Sequence, residues 1–162
     1  MQASLTLVVA DRDHGKTTFL LNLLKQPSFQ EKRICGVLAL ANPEKTMYRL
    51  RDLSSLEERL ALCESLIGRG NRIGRFFLDE QVFSWANQAI RSSLGAADVA
   101  IFDEIGRLEF EGGGLAPSFK EALDLEGLQV YAAVRRPFID DLLREFSIRR
   151  ERLSILEVDR LK

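Results

Sequence analysis

Ala10-Asp11-Arg12-Asp13-His14-Gly15-Lys16-Thr17-Thr18 is the stretch that decides the fold of this chain. The apolar run Leu5-Thr6-Leu7-Val8-Val9 precedes it, and Phe19-Leu20-Leu21-Asn22-Leu23-Leu24 follows. Strand, loop and helix in that order form the setting that a G-x-x-x-x-G-K-[ST] phosphate loop requires. In such a loop successive backbone N–H groups point inward around phosphate oxygens, and the helix N-terminus adds partial positive charge. Residues 10 to 18 are therefore the expected nucleotide cradle. Within it Lys16 reaches the β- and γ-phosphates, and the Thr17 hydroxyl ligates Mg²⁺. Ala10 stands where the motif has its first glycine. A residue that ends a strand need not adopt positive φ, so alanine is accepted there, whereas Gly15 lies nearer the phosphate and is harder to replace.

The partner motif is Val99-Ala100-Ile101-Phe102-Asp103-Glu104. Four apolar residues predict a buried central strand, and acids stand at its C-terminal end, where open parallel sheets bind their ligands. Asp103 is expected to hold Mg²⁺, directly or through water, and to share a hydrogen bond with Thr17. Glu104 is placed to polarise a water for in-line attack on the γ-phosphate. Arg107, Arg135 and Arg136 are candidate cations for the charge that develops on the γ-phosphoryl oxygens; Arg135 is counted with Lys16 and Glu104 as a catalytic residue.

Between these motifs the pattern alternates strands and helices. A helix is expected over 16–25, stopped near Pro27, then a buried strand over Ile34–Leu40 broken by Asn42-Pro43. Residues 46–66 suit either a helix or a hairpin turning near Ser54-Ser55, and the hairpin is preferred. Residues 68–74 are expected to be a loop, with a short strand over Arg75–Leu78 and a helix from Val82 to about Gly95. Gly112-Gly113-Gly114 is expected to be a flexible loop before a helix at Pro117. A strand follows over Leu128–Val134, then a helix opened by Pro137 and a last strand over Ile155–Val158. Strands separated by helices imply a mostly parallel sheet with right-handed crossovers, an α/β domain in three layers with an added hairpin.

Composition narrows the setting. The 162 residues suit one domain over 1–162, with 46% apolar and 29% charged residues and a net charge of −1. That balance supplies no basic field for nucleic acid or membrane binding. Cys35 and Cys63 are expected to be buried free thiols, as in a reducing cytosol, and with one histidine and no C-x-x-C pair a zinc site is not expected. No apolar run is long enough to span a bilayer, and nothing identifies a protein partner.

The string Asp103-Glu104-Ile105-Gly106-Arg107-Leu108-Glu109 resembles the D-E-I-G-[KR]-[ML]-E signature of the small nucleoside-triphosphatase family first described from thermophiles. Gly36, Ile73-Gly74-Arg75-Phe76 and Ala132-Ala133-Val134-Arg135-Arg136-Pro137 stand where that family has its G-F segment, its V-G-x-Y segment and its last strand with following turn. The resemblance implies a RecA-like P-loop fold and slow, Mg²⁺-dependent hydrolysis of ATP, GTP and other nucleoside triphosphates. It implies phosphate and metal contacts for Lys16 and Thr17, the second metal acid for Asp103 and the base for Glu104, while Gly106 and Glu109 match as signature residues. Taken alone, Gly106 also suits an ordinary turn glycine and Glu109 an exposed acid. The acid that usually follows the G-F segment is missing, since Leu40-Ala41-Asn42 stands there.

Three other functions share part of this pattern. Asp13-His14-Gly15-Lys16-Thr17-Thr18 is similar to the phosphate loop of translation-factor GTPases, and Asp103–Gly106 fits D-x-x-G, but no N-K-x-D stretch exists to recognise guanine. A small-molecule kinase would use the same loop and acid, yet nothing identifies an acceptor. A nucleotide-binding adaptor with little catalysis would reorder its loops around the γ-phosphate.

Overall fold

The computed structural model describes residues 1–11, 15–65 and 71–158. In chain order, β1 (Ser4–Ala10), α1 (Lys16–Leu24), a short α2 (Pro27–Gln30) and β2 (Ile34–Ala41) come first. Four strands follow: β3 (Met47–Asp52), β4 (Glu58–Cys63), β5 (Asn71–Ile73) and β6 (Phe76–Leu78). The rest is α3 (Glu80–Leu94), β7 (Val99–Phe102), α4 (Arg107–Phe110), α5 (Ala116–Leu123), β8 (Gln129–Arg135), α6 (Ile139–Glu145) and β9 (Leu153–Glu157).

Among the described residues nine strands form one sheet in the order β5-β6-β4-β3-β2-β7-β8-β1-β9. From β2 to β9 every pairing is parallel; from β2 to β5 every pairing is antiparallel. Strand alternation sends side chains to both faces, and helices cover both in the parallel part. On one face Val8, Ala10, Leu38, Ile101 and Ala133 pack with Leu20 and Leu23 of α1 and Phe29 of α2. On the other, Leu5, Leu7, Val9, Phe102, Ala132 and Val134 pack with α3, α5 and α6, including Ile90, Phe119 and Leu142. This is the expected three-layer, RecA-like α/β architecture, and β8 separates the strand of the phosphate loop from the strand of the acids.

Gly36 lets β2 lie close against β7. It sits opposite Ile101 with φ 116°, and a Cβ there would lie 2.0 Å from the Ile101 carbonyl oxygen. No other residue tolerates both that backbone and that approach.

Several boundaries differ from the sequence pattern. Pro27 does not simply end α1; it stands at the first position of α2, where its missing N–H costs nothing. The hairpin over 46–66 is present as β3 and β4, but part of the expected 68–74 loop is strand, because Asn71–Ile73 pairs with Phe76–Leu78. A 3₁₀ turn at Arg136–Phe138 precedes α6, and the last strand begins at Leu153, two residues early.

Candidate active site

α1 begins directly after Gly15, whose φ of 83° lies in the left-handed region that glycine adopts at little cost. Phe19 N–H donates to the Gly15 carbonyl at 2.9 Å, which closes the first turn. Ala10 is fully buried at the end of β1 and carries no positive φ, so its methyl group fills core where the motif has glycine. Lys16 is only 5% exposed; its Nζ lies 3.5 Å from the Asp11 carbonyl oxygen and 3.8 Å from Glu104 Oε2.

β7 delivers the acids. All four of its residues are buried, and Asp103 N–H still donates to the Val37 carbonyl at 3.2 Å, so the first acid stays in the sheet. Its Oδ2 accepts from the Thr17 hydroxyl at 2.7 Å and from Ala39 N–H at 3.0 Å. Burial pushes the Asp103 carboxyl up to about 6, against the pull of those two hydrogen bonds. The chain then turns sharply. Glu104 has φ 70°, a backbone that costs a non-glycine residue on the order of 1 kcal/mol. Ile105, fully buried, donates its N–H to Ala133 O at 2.8 Å and pins the far side of the turn. Two buried neighbours thus force Glu104 outward, with its side chain 41% exposed. There Arg135 Nε donates to Glu104 Oε1 at 3.1 Å.

The two motifs therefore meet: loop and acid strand are joined by one short hydrogen bond across the gap left by β8. A family model described as NTPase matches residues 6–162. This chain belongs to that family of nucleoside triphosphatases. THEP1 from the hyperthermophile Aquifex aeolicus superposes with a TM-score of 0.76 at 17% identity, covering 95% of this chain and 89% of that one. A human cancer-related nucleoside triphosphatase superposes with a TM-score of 0.74 at 17% identity, covering 96% and 88%. At that identity these two likenesses concern the fold. A search of curated proteins gives no match.

In this nucleoside triphosphatase Lys16, Thr17, Asp103, Glu104 and Arg135 come together, framed by Ala10, Asp11 and Gly15. Thr18 is exposed on the first turn of α1. Arg12, Asp13 and His14 lie outside the described residues. Arg136 pairs with Asp11 and Glu157, and the Arg107 guanidinium stacks 5.4 Å from the centre of the Phe138 ring.

The signature's last acid is not exposed. Glu109 is buried; its Oε1 accepts from Gly106 N–H at 2.9 Å and its Oε2 from Leu115 N–H at 3.0 Å. Its carboxyl is pushed up to about 7 by burial, against the pull of the hydrogen bonds. Glu109 therefore ties the turn after the acids to the start of α5. The glycine run is correspondingly not a loose loop: a Cβ on Gly114 would lie 1.8 Å from Glu109 Oε2. No side-chain pattern could have announced Ala39, which enters the site through its backbone, while Glu109 could have been suspected from its spacing to Gly106.

The donor set suits Mg²⁺. Thr17 at the start of α1 and Asp103 at the end of β7 are hard oxygen donors, and among the described residues no cluster of three His, Cys, Asp or Glu side chains could hold a metal alone. An ion that keeps its waters and leans on substrate phosphates needs no more than one or two protein oxygens. No helix among the described residues is long and apolar enough to cross a membrane.

Proposed function

We propose that this chain hydrolyses ATP, GTP and other nucleoside triphosphates to diphosphate and phosphate with Mg²⁺, and that water oriented by Glu104 is the acceptor. The observation that carries this reading is the 2.7 Å hydrogen bond from the Thr17 hydroxyl to Asp103, which joins the start of α1 to the acids at the end of β7. Thr17 and Asp103 would hold the ion, which when bound supplies charge neutralisation across the β- and γ-phosphates. Lys16 binds the phosphates from the loop side. Glu104, projecting from its turn, accepts the proton of the attacking water. Arg135, which donates to Glu104 at 3.1 Å, would meet the charge that develops on the γ-phosphoryl oxygens. Positioning and charge stabilisation account for most of the rate. The two buried free thiols support a reducing, cytosolic setting.

Release of inorganic phosphate from each of the four ribonucleoside triphosphates, with and without Mg²⁺, tests this. Similar rates with Mg²⁺ and none without it are expected. Tight binding with no release would return the protein to an adaptor that reorders around the γ-phosphate.

A further inference from the structure

Arg135, the last residue of β8, and Arg136, the first of the 3₁₀ turn after it, diverge to opposite sides. β8 lies between β7 and β1, and Arg135 reaches to Glu104 beyond β7, while Arg136 reaches to β1 and β9. Arg136 Nη1 is 2.6 Å from Glu157 Oε1 and its Nε is 3.4 Å from Asp11 Oδ1. Asp11 is the first loop residue after β1, and its carbonyl oxygen is the one 3.5 Å from Lys16 Nζ. The other end of the loop also meets the last strand's end. A Cβ built on Gly15 would lie 4.0 Å from Val158 Cγ1, and Val158 is buried with Val8, Ala10 and Leu20.

We propose that Arg136 is a positioning residue for the phosphate loop, with Glu157 at the end of β9 as the counter-charge that holds it in place. The inference rests on the loop binding phosphate, and it extends the site to the C-terminal strand. An amide cup binds anions in proportion to how little ordering it must undergo, so fixing both ends of the loop raises affinity without touching the ligand. Arg136 also offsets the Asp11 carboxylate, which otherwise repels an incoming triphosphate. A guanidinium shared by two carboxylates has its charge already engaged, unlike a cation reserved for the γ-phosphoryl group. Its planar fork reaches both partners, which a lysine ammonium cannot do equally well.

The test uses the full chain with Mg²⁺. It measures kcat and KM for ATP, and Kd for a non-hydrolysable triphosphate analogue, in R136A, R136K, E157Q and K16A. R136A is expected to raise KM and Kd about three- to tenfold with kcat within about twofold, the scale of a partly exposed ion pair. R136K recovers part of that loss, and E157Q shows the same split at about two- to threefold. The Tm of R136A without nucleotide stays within a few degrees of wild type, while the rise in Tm on adding the analogue shrinks. A fall in kcat at unchanged KM in R136A would overturn the inference and make Arg136 a catalytic cation. Unchanged KM and Kd in both R136A and E157Q would overturn it as well; if R136A does not fold, E157Q decides. K16A separates the two levels: wild-type affinity there removes the loop reading itself, whereas lost affinity in K16A with an unchanged Arg136 variant removes only the positioning role.

Discussion

The parallel part of the sheet and its antiparallel extension obey different rules although they share β2. In β1 and β8 most residues are buried, in β2 half are, and β7 is buried at every position. Such strands need helices on both faces, and α1 and α2 stand on one side with α3, α5 and α6 on the other. The extension is half solvated: β4 leaves Glu58 and Arg59 exposed, and β5 exposes Asn71 and Arg72. Every residue assigned to phosphate, metal or water belongs to the parallel part or its loops. Parallel strands all end at one edge and so converge functional groups there, whereas hairpins scatter their ends and enlarge the sheet without building a site.

The sharpest way to break that contrast is to neutralise one acid in each part. Glu104→Gln should keep binding of a triphosphate analogue and lower kcat about 10²- to 10⁴-fold, the scale of a lost general base. Lys16→Ala should lose triphosphate binding or turnover outright. Glu64→Gln removes the acid that pairs with Arg75 at the antiparallel end and should leave both quantities within about twofold. Equal damage from Glu64→Gln in a phosphate-release assay would refute a division of labour between the parts.

The seam should fail next. Gly36→Ala asks for a Cβ 2.0 Å from a backbone oxygen at φ 116°, with strand backbone on the other side of the contact and no flexible side chain to yield. A loss on the order of 4 kcal/mol or more is expected in urea unfolding. A variant with an unshifted midpoint would mean that β2 and β7 can separate without cost.

Glu109 offers a pH handle confined to the parallel part. Its folded-state value of about 7 lies above the ordinary 4.5, so the unfolded chain releases this proton first. Stability from this group is fully present below pH 4.5, declines as pH rises to about 7 and is flat beyond. The total is on the order of 3 kcal/mol. Glu109→Gln carries no proton to lose and should flatten that decline. Because its amide nitrogen cannot accept one of the two backbone N–H groups, it should also be less stable at low pH. Denaturation at pH 4.5 and 7.5 reads both effects, and an equal slope in the two proteins would exclude Glu109 as the titrating group.

Legibility follows the same division. Leu5–Ala10, Ile34–Leu40, Val99–Phe102 and Leu128–Val134 are visible as strands because burial on both faces leaves a largely apolar run, interrupted only at Thr6 and Gln129. The loop motif and the Asp103-Glu104 pair carried most of the site, since each role demands a particular side chain. β5 escaped notice because three residues with two exposed present no period at all. The positive φ of Glu104 and the amide of Ala39 could not be seen in advance; a backbone group enters chemistry whatever its side chain. The Arg136 link to Glu157 joins residues 21 positions apart and depends on β9 pairing beside β1.

The smallest effect is expected where the two parts meet at the nucleotide edge. Asn42 closes the Leu40-Ala41-Asn42 stretch, which carries no acid, and its side chain is occupied by the turn between β2 and β3. Its Oδ1 accepts from Thr46 N–H at 2.9 Å and Met47 N–H at 3.0 Å, and its Nδ2 donates to Thr46 Oγ1 at 2.8 Å. Asn42→Asp keeps both acceptor bonds, and the Thr46 hydroxyl can rotate to donate to the new oxygen. The Nδ2 bond to Glu44 Oε2 at 3.2 Å is lost and two carboxylates face each other there, but the pair is exposed. Stability should therefore fall by no more than about 1 kcal/mol and kcat shift by less than about twofold. A tenfold rise in phosphate release from this one substitution would show that the seam shapes turnover, and the antiparallel part would then belong to the machinery.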